Sequence, residues 1–293
     1  MMDRVTEILR EAAAAAILPR YRALAEGEVT EKSPGELVTA ADQEAEELIT
    51  PRLRALLDVP VVGEEASAAE PGLVAALREA PAAWLVDPLD GTANFVAGRP
   101  HYAVMAALVR SGQVVAAWIV QPATGRAYTA ELGAGAWRDG VRLRRAPAMA
   151  PVPAPGSPGG PGGPGGPGGN GSPGGPGATS DLGALRGAAL TRFLDPAARA
   201  RVERAAGRFA ALGSGTKSAG IDYPQLVDGE LDFLRYHRTL PWDHAPGALL
   251  LSEAGGAVRR LDGSEYRVTD ERTGLLAVAD PHCWAAVRSA LED

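Results

Sequence analysis

Trp84-Leu85-Val86-Asp87-Pro88-Leu89-Asp90-Gly91-Thr92-Ala93-Asn94-Phe95 reads as a buried strand that ends in acids and turns into a helix. Pro88 biases Asp87 towards extended backbone. Asp90-Gly91 then turns the chain, and Thr92 and Asn94 follow. Two carboxylates three residues apart at a strand end can point at one spot, with the Leu89 carbonyl between them. Oxygen-only donors of this kind suit a hard divalent cation such as Mg2+. The Gly91 and Thr92 amides, opening onto a helical turn, suit an anion. Asp, Pro and Gly are also the ordinary residues of a surface turn, so this stretch alone leaves a capped turn equally open.

Three more segments set acids at element ends: Leu37-Val38-Thr39-Ala40-Ala41-Asp42, Val62-Gly63-Glu64-Glu65 and Pro241-Trp242-Asp243. Taken singly, Glu64-Glu65 reads as a solvated pair, and Asp42 and Asp243 as helix caps. Taken together, acids at four element ends with Thr92 in an anion-receiving turn read as one metal–phosphate site.

Working outward, helical patterns span 3–25 and 40–57, the first with Ile8, Leu9, Ala12, Ala16, Tyr21 and Leu24 on one face, the second with a bend at Pro51. Apolar runs at 59–62 and 84–86 precede strand patterns at 103–109, 114–120 and 127–132, and Asp139-Gly140 marks a hairpin. This half reads as helices on an antiparallel sheet. Further on, elements alternate: strands at 188–193, 209–212, 231–235, 257–261 and 275–279, and helices at 196–207, 217–228, 243–254 and 281–291. That half reads as a layered α/β unit. The chain divides into 1–145, an insertion at 146–180, and 181–293.

Of the 36 Gly and 24 Pro, 13 and seven respectively lie between Pro155 and Gly177. With no Ile, Leu, Phe, Tyr or Trp from 146 to 180, this insertion has nothing to bury and is expected to be mobile. It would span roughly 30 Å as a Gly-rich coil. A collagen reading fails for want of a long run with Pro at the other positions. A role as an interaction module stays open.

A formal charge of −7 argues against non-specific nucleic-acid binding. No apolar stretch approaches the roughly 20 residues of a membrane span. Asp3, Glu7 and Glu11 precede the Ala run of the first helix, which is unlike an export signal, and one Cys fits a reducing cytoplasm.

The segments WLVDPLDGTANF and PWDHAPGALLLSEAGG, with VTAAD and GEE in the same order, resemble the inositol monophosphatase family of Mg2+-dependent, often lithium-sensitive phosphatases. The resemblance covers nearly the whole chain outside the insertion. It implies an αβαβα sandwich, hydrolysis of a small-molecule phosphate monoester by in-line attack of water, and a homodimer. It implies that Glu64, Asp87 and the Leu89 carbonyl hold one Mg2+, that Asp87, Asp90 and Asp243 hold a second, and that Glu64 helps a weaker third. Thr92, polarised by Asp42 and assisted by Glu64, would orient or deprotonate the attacking water. The Gly91 and Thr92 amides would hold the phosphate.

The substrate is less legible. Inositol-specific relatives carry an acid six residues before the motif Trp, where this chain has Tyr236. Arg235, His237 and Arg238 either meet a second anionic group or form a solvated strand end. Gly213-Ser214-Gly215-Thr216-Lys217-Ser218 fails the Walker pattern, because Thr216 stands where Gly should precede Lys217. By resemblance, Ser214 and Thr216 join Tyr236 and Arg238 as substrate contacts. Histidinol phosphate, fructose 1,6-bisphosphate and 3′-phosphoadenosine 5′-phosphate compete with an inositol or sugar phosphate. A non-catalytic metal- or ligand-binding protein is the alternative of a different class.

Overall fold

The computed structural model describes residues 1–33, 36–145 and 181–293. The Gly/Pro-rich insertion, with its expected mobility, lies outside the described residues. Helix α1 (Met2–Ala12) buries Val5, Ile8, Leu9 and Ala12. The continuous helix expected to residue 25 does not form. The chain widens into a π turn at Ala13–Ile17 and tightens into a 3-10 turn at Leu18–Arg20. Pro19 lacks the amide hydrogen that would continue the ladder. Tyr21 and Leu24 still pack on the same core.

An antiparallel ribbon, β1 (Val29–Ser33) and β2 (Glu36–Thr39), leads into α2 (Ala40–Leu56). The ribbon carries no strand signal because β1 is mostly exposed and polar. Next come β3 (Val61–Gly63), α3 (Glu64–Ala69), α4 (Ala76–Glu79), β4 (Ala82–Asp90) and α5 (Thr92–Val96). Strands β5 (Ala103–Arg110), β6 (Gln113–Gln121), β7 (Arg126–Glu131), β8 (Gly135–Arg138) and β9 (Val141–Leu143) follow. Strands β3 to β9 form a seven-stranded sheet in chain order. Only the β3–β4 pair is parallel. The expected Asp139-Gly140 hairpin joins β8 to β9, with both residues at positive φ.

The second sheet runs β11-β10-β12-β14-β13. Its strands are β10 (Arg186–Ala189), β11 (Ala211–Gly213), β12 (Phe233–Tyr236), β13 (Ala257–Arg260) and β14 (Leu275–Val278), interleaved with α6 (Pro196–Ala205), α7 (Ala219–Asp228), α8 (Pro241–Glu253) and α9 (Trp284–Glu292). Strand β10 ends earlier than expected. The chain leaves the sheet after Leu190 and is turned into α6 by Asp195, whose carboxylate accepts from the Ala198 amide at 2.9 Å, and by Pro196.

Five layers result, as expected. Helices α1 and α2 cover the outer face of the large sheet around Ile8, Ile49, Trp84 and Trp118. Helices α7 and α8 fill the space between the sheets: Tyr223, Leu226 and Leu250 share a core with Met105 and Ile119 of one sheet and Leu234 and Leu275 of the other. Helices α6 and α9 close the far face through Val202, Val287 and Leu291 against Phe233 and Val278. Adjacent residues Phe233 and Leu234 serve opposite cores, the period of two of a strand buried on both faces.

The central layer is close-packed. A β-carbon at Gly247 of α8 would stand 2.2 Å from the Tyr223 ring of α7. Gly247→Ala should therefore lower the unfolding free energy by about 1–3 kcal/mol, outweighing a helix-propensity gain of about 1 kcal/mol. Urea unfolding measures this; an unchanged or raised stability would show that the α7–α8 contact is looser than described.

Candidate active site

Strand β4 delivers the first acids. Residues three apart on a regular strand face opposite sides. Here the register opposite β5 shifts: Asp87 pairs with Met105 and Asp90 with Ala103. One extra residue on β4, at Pro88-Leu89, is a bulge, and it turns both carboxylates to the face of Met105 and Ala103. Gly91, at φ +85°, then reverses the chain into α5, with the His101 carbonyl 2.6 Å from where a β-carbon would lie.

Helix α2 brings Asp42 to the same place. In a capping box, Asp42 Oδ2 accepts from the Thr39 amide at 2.9 Å and its hydroxyl at 2.6 Å. Its other oxygen, Oδ1, accepts from the Thr92 hydroxyl at 2.9 Å, and that hydroxyl also lies 3.0 Å from the Leu89 carbonyl. Burial pushes Asp42 up to about 6, against the pull of hydrogen bonds from Thr39 and Thr92.

Asp90 acts on a helix far along the chain. Its carboxylate accepts from the Ser218 hydroxyl, from the Ala219 amide at 3.2 Å and from the Gly220 amide at 2.7 Å, capping α7. Burial still pushes it up to about 7. Asp87 accepts only from the Leu89 amide, at 3.1 Å, among the described residues. Asp243, in the first turn of α8, has no hydrogen-bond or ion-pair partner among them. Both are driven well above the usual carboxylate range, first by burial and then by the charges of Glu64 and Asp90.

Glu64 opens α3 and accepts from Lys32 Nζ at 2.9 Å; the same ammonium serves Glu65. Glu46 caps α3 from α2, taking the Glu65 and Ala66 amides at 2.9 Å each. Lys32 and Glu46 carry no signal in the sequence that marks them for this site.

The substrate candidates divide. A cavity of about 440 Å3 is lined by Asp90, Asp243, Ser214, Tyr236 and Arg238, among others. Tyr236 is buried, and its hydroxyl has no partner among the described residues. Arg238 pairs with Glu36 of β2. Thr216 stands between Ser214 and Lys217, which line the cavity. Its amide and hydroxyl both bond Asp222, at 2.8 and 2.7 Å, so it braces the loop before α7. Asn94 Nδ2 ties α5 to that loop through the Thr216 carbonyl at 2.8 Å. Arg235 is a correction, since it is buried and meets neither the cavity nor solvent. It points to the opposite face of its sheet and pairs with Glu292 of α9 at 2.9 Å. His244 is neutral, lowered to about 4 by burial. Its Nε2–H donates to the Arg238 carbonyl at 3.0 Å, leaving Nδ1 to accept from the Tyr223 hydroxyl at 3.2 Å.

Among the described residues, no three acids or histidines close round one point as a finished metal shell. Asp90 is drawn to α7 and Glu64 to Lys32. Yet Asp87, Asp90, Asp243 and Glu64 stand near enough to repel one another, and neither Asp87 nor Asp243 forms an ion pair among the described residues. A buried, oxygen-only, mutually repelling set fits a hard divalent cation, which would relieve that repulsion.

A five-layered sandwich with acids gathered at its helix N-termini defines the class of layered sugar-phosphatase folds. Within that class, the chain belongs to the inositol monophosphatase family, whose profile it matches over residues 1–157 and 186–291. It is 34% identical over 239 residues to an inositol-1-monophosphatase of Mesorhizobium japonicum, covering 81% of this chain and 77% of that protein. A fructose-1,6-bisphosphatase/inositol-1-monophosphatase of Thermotoga maritima is 28% identical, covering 80% of this chain and 76% of that protein. Among solved structures, the extragenic suppressor protein suhB of Bartonella henselae superposes with a TM-score of 0.77 at 22% identity, over 99% of this chain and 97% of that one.

The raised acids set a pH dependence. Free carboxylates are already ionised above pH ~6. Asp90 and Glu65 lose their protons near about 7, and burial raises Asp87 and Asp243 well above the usual carboxylate range. The folded chain thus binds more protons than the unfolded one between pH 6.5 and 8, and its stability falls as pH rises through that window. In a chelator, thermal unfolding should occur at lower temperature at pH 8 than at pH 6.5. Added Mg2+ should raise the midpoint more at pH 8. An equal Mg2+ shift at both pH values would count against ion binding at these acids.

Proposed function

We propose that this chain, a phosphoric monoester hydrolase of its family, cleaves a small-molecule phosphate ester of the inositol- or sugar-phosphate kind in the presence of Mg2+. The observation that carries the reading is the Thr92–Asp42 hydrogen bond, set beside the acids of the β4 bulge. Glu64, Asp87, the Leu89 carbonyl, Asp90 and Asp243 would hold two ions, with a weaker third at Glu64. Bound there, Mg2+ lowers the pKa of water and offsets charge on the entering and leaving oxygens.

The remaining roles belong to the chain. The Thr92 hydroxyl gives its hydrogen to Asp42 Oδ1, so its lone pairs are left to accept a proton from the attacking water. At about 6, Asp42 is mostly ionised at neutral pH yet basic enough to receive that proton, the range in which general bases work best. Lys32 holds Glu64 in position to assist. The Gly91 and Thr92 amides cradle the phosphate, while Ser214, Tyr236 and Arg238 meet the rest of the substrate. A homodimer in the cytoplasm completes the reading. Family resemblance supports the dimer, and a single, buried Cys283 supports the reducing compartment. No helix among the described residues is long and apolar enough to cross a membrane.

A hydrolysis panel with Mg2+ tests this: inositol 1-phosphate, histidinol phosphate, fructose 1,6-bisphosphate and 3′-phosphoadenosine 5′-phosphate. Thr92→Val should lower kcat by about 10²-fold or more on the ester that turns over. Asp90→Asn should lose most activity but stay folded, because Asn also caps helices well. Near-normal Mg2+-dependent turnover in Asp90→Asn would remove the site assignment. Mg2+ binding without hydrolysis of any ester would favour a non-catalytic binding protein.

A further inference from the structure

The cavity beside the acids is charged oppositely at its two ends. Asp90, Ser218, His244 and Tyr236 form its buried part. Arg192, Arg199 and Lys217 also line it, and all three are exposed, so they stand at its mouth. A volume of about 440 Å3 is that of a pocket for a small metabolite, well beyond one phosphate group.

These cations differ in what already balances them. Arg238, further along the wall, is offset by Glu36. Among the described residues, the Arg199 side chain reaches only the Thr191 and Arg192 carbonyls, at 3.4 Å. Lys217 has no carboxylate partner among the described residues. Two features hold the group in place. The Phe193 ring lies 5.0 Å from the Arg192 guanidinium and 4.9 Å from that of Arg238, which fixes both on the wall. Lys217 sits at φ +67°, a strained conformation for a residue with a side chain. The loop sustains it because Thr216 is tied to Asp222 on one side and Ser218 to Asp90 on the other.

Arg199 and Lys217, exposed at the mouth of a cavity whose floor is acidic and without a carboxylate partner among the described residues, call for an anion that the scissile phosphate does not supply. We propose that the substrate carries a second anionic group, a phosphate or a carboxylate, and that Lys217 and Arg199 bind it. The proposal rests on the phosphatase reading of the acidic end and narrows it to doubly anionic esters. The place of Tyr236 agrees: it lends a buried, uncharged hydroxyl where an acid would repel such a substrate.

The test compares matched pairs on the full chain with Mg2+. Fructose 1,6-bisphosphate against fructose 6-phosphate reads a second phosphate; 3-phosphoglycerate against glycerol 3-phosphate reads a carboxylate. In at least one pair, kcat/KM should favour the doubly anionic ester by about tenfold or more, the scale of a charge-assisted hydrogen bond. The preferred pair identifies the group. In Lys217→Ala and Arg199→Ala that preference should collapse towards unity, through KM rather than kcat. Raised salt should shrink it too. Turnover with no preference in either pair, or a preference that survives both variants, overturns the subsite while leaving the phosphatase reading intact. Calorimetric titration of the same pairs reads the subsite without turnover. Equal affinities within both pairs overturn it, and a preference lost in the variants upholds it, even if no ester is hydrolysed and the phosphatase reading itself fails.

Discussion

Carboxylates crowded out of water repel one another, and the architecture is organised round that fact. Asp87, Asp90 and Asp243 are all driven upward by burial and by neighbouring acids. The fold answers with helix N-termini, whose amides and partial positive charge favour anions. Asp42 lies in the first turn of α2, Glu64 opens α3, Asp243 lies in the first turn of α8, and Asp90 takes the first amides of α7. Bringing those helix starts to the end of β4 requires α7 and α8 to lie between the two sheets, which is where they pack.

The same requirement ties distant parts of the chain together. The Asp90–Ser218 hydrogen bond spans 128 positions, and the Asn94–Thr216 bond spans 122. Thr92 and Asp42 meet from two other elements. The site is therefore a property of the packed layers. The β4 motif supplies and turns the acids, but groups of α7, encoded more than a hundred residues later, hold Asp90 in place.

What was legible in the sequence follows from this. Strand β4 and its acids could be read because hydrophobic runs and Asp, Pro and Gly act locally. The amphipathic helices and antiparallel strands were legible for the same reason. Lys32 was not, because it sits on an exposed ribbon with no apolar pattern, and its meaning comes only from Glu64 and Glu65 across space. Glu46 carries no local signal either, because its role comes from the Glu65 and Ala66 amides of α3. Arg235 was misplaced for a related reason. Linear proximity to the site said nothing about its partner, Glu292, on the opposite face of the sheet. The bulge at Pro88-Leu89 decides which way Asp87 and Asp90 face, and it is visible only in the pairing with β5.

The chain uses 27 arginines and only two lysines, and both lysines stand at this site. Lys32 is held between two glutamates, which keep its amine protonated. Lys217 is exposed and lacks such a partner among the described residues. Guanidinium groups do not acylate under mild conditions, so the amine chemistry of this protein is confined to its N-terminus and the mouth of one cavity. An amine-selective reagent thus becomes a chemical address for that cavity, placing a fluorophore or crosslinker there without any engineered cysteine.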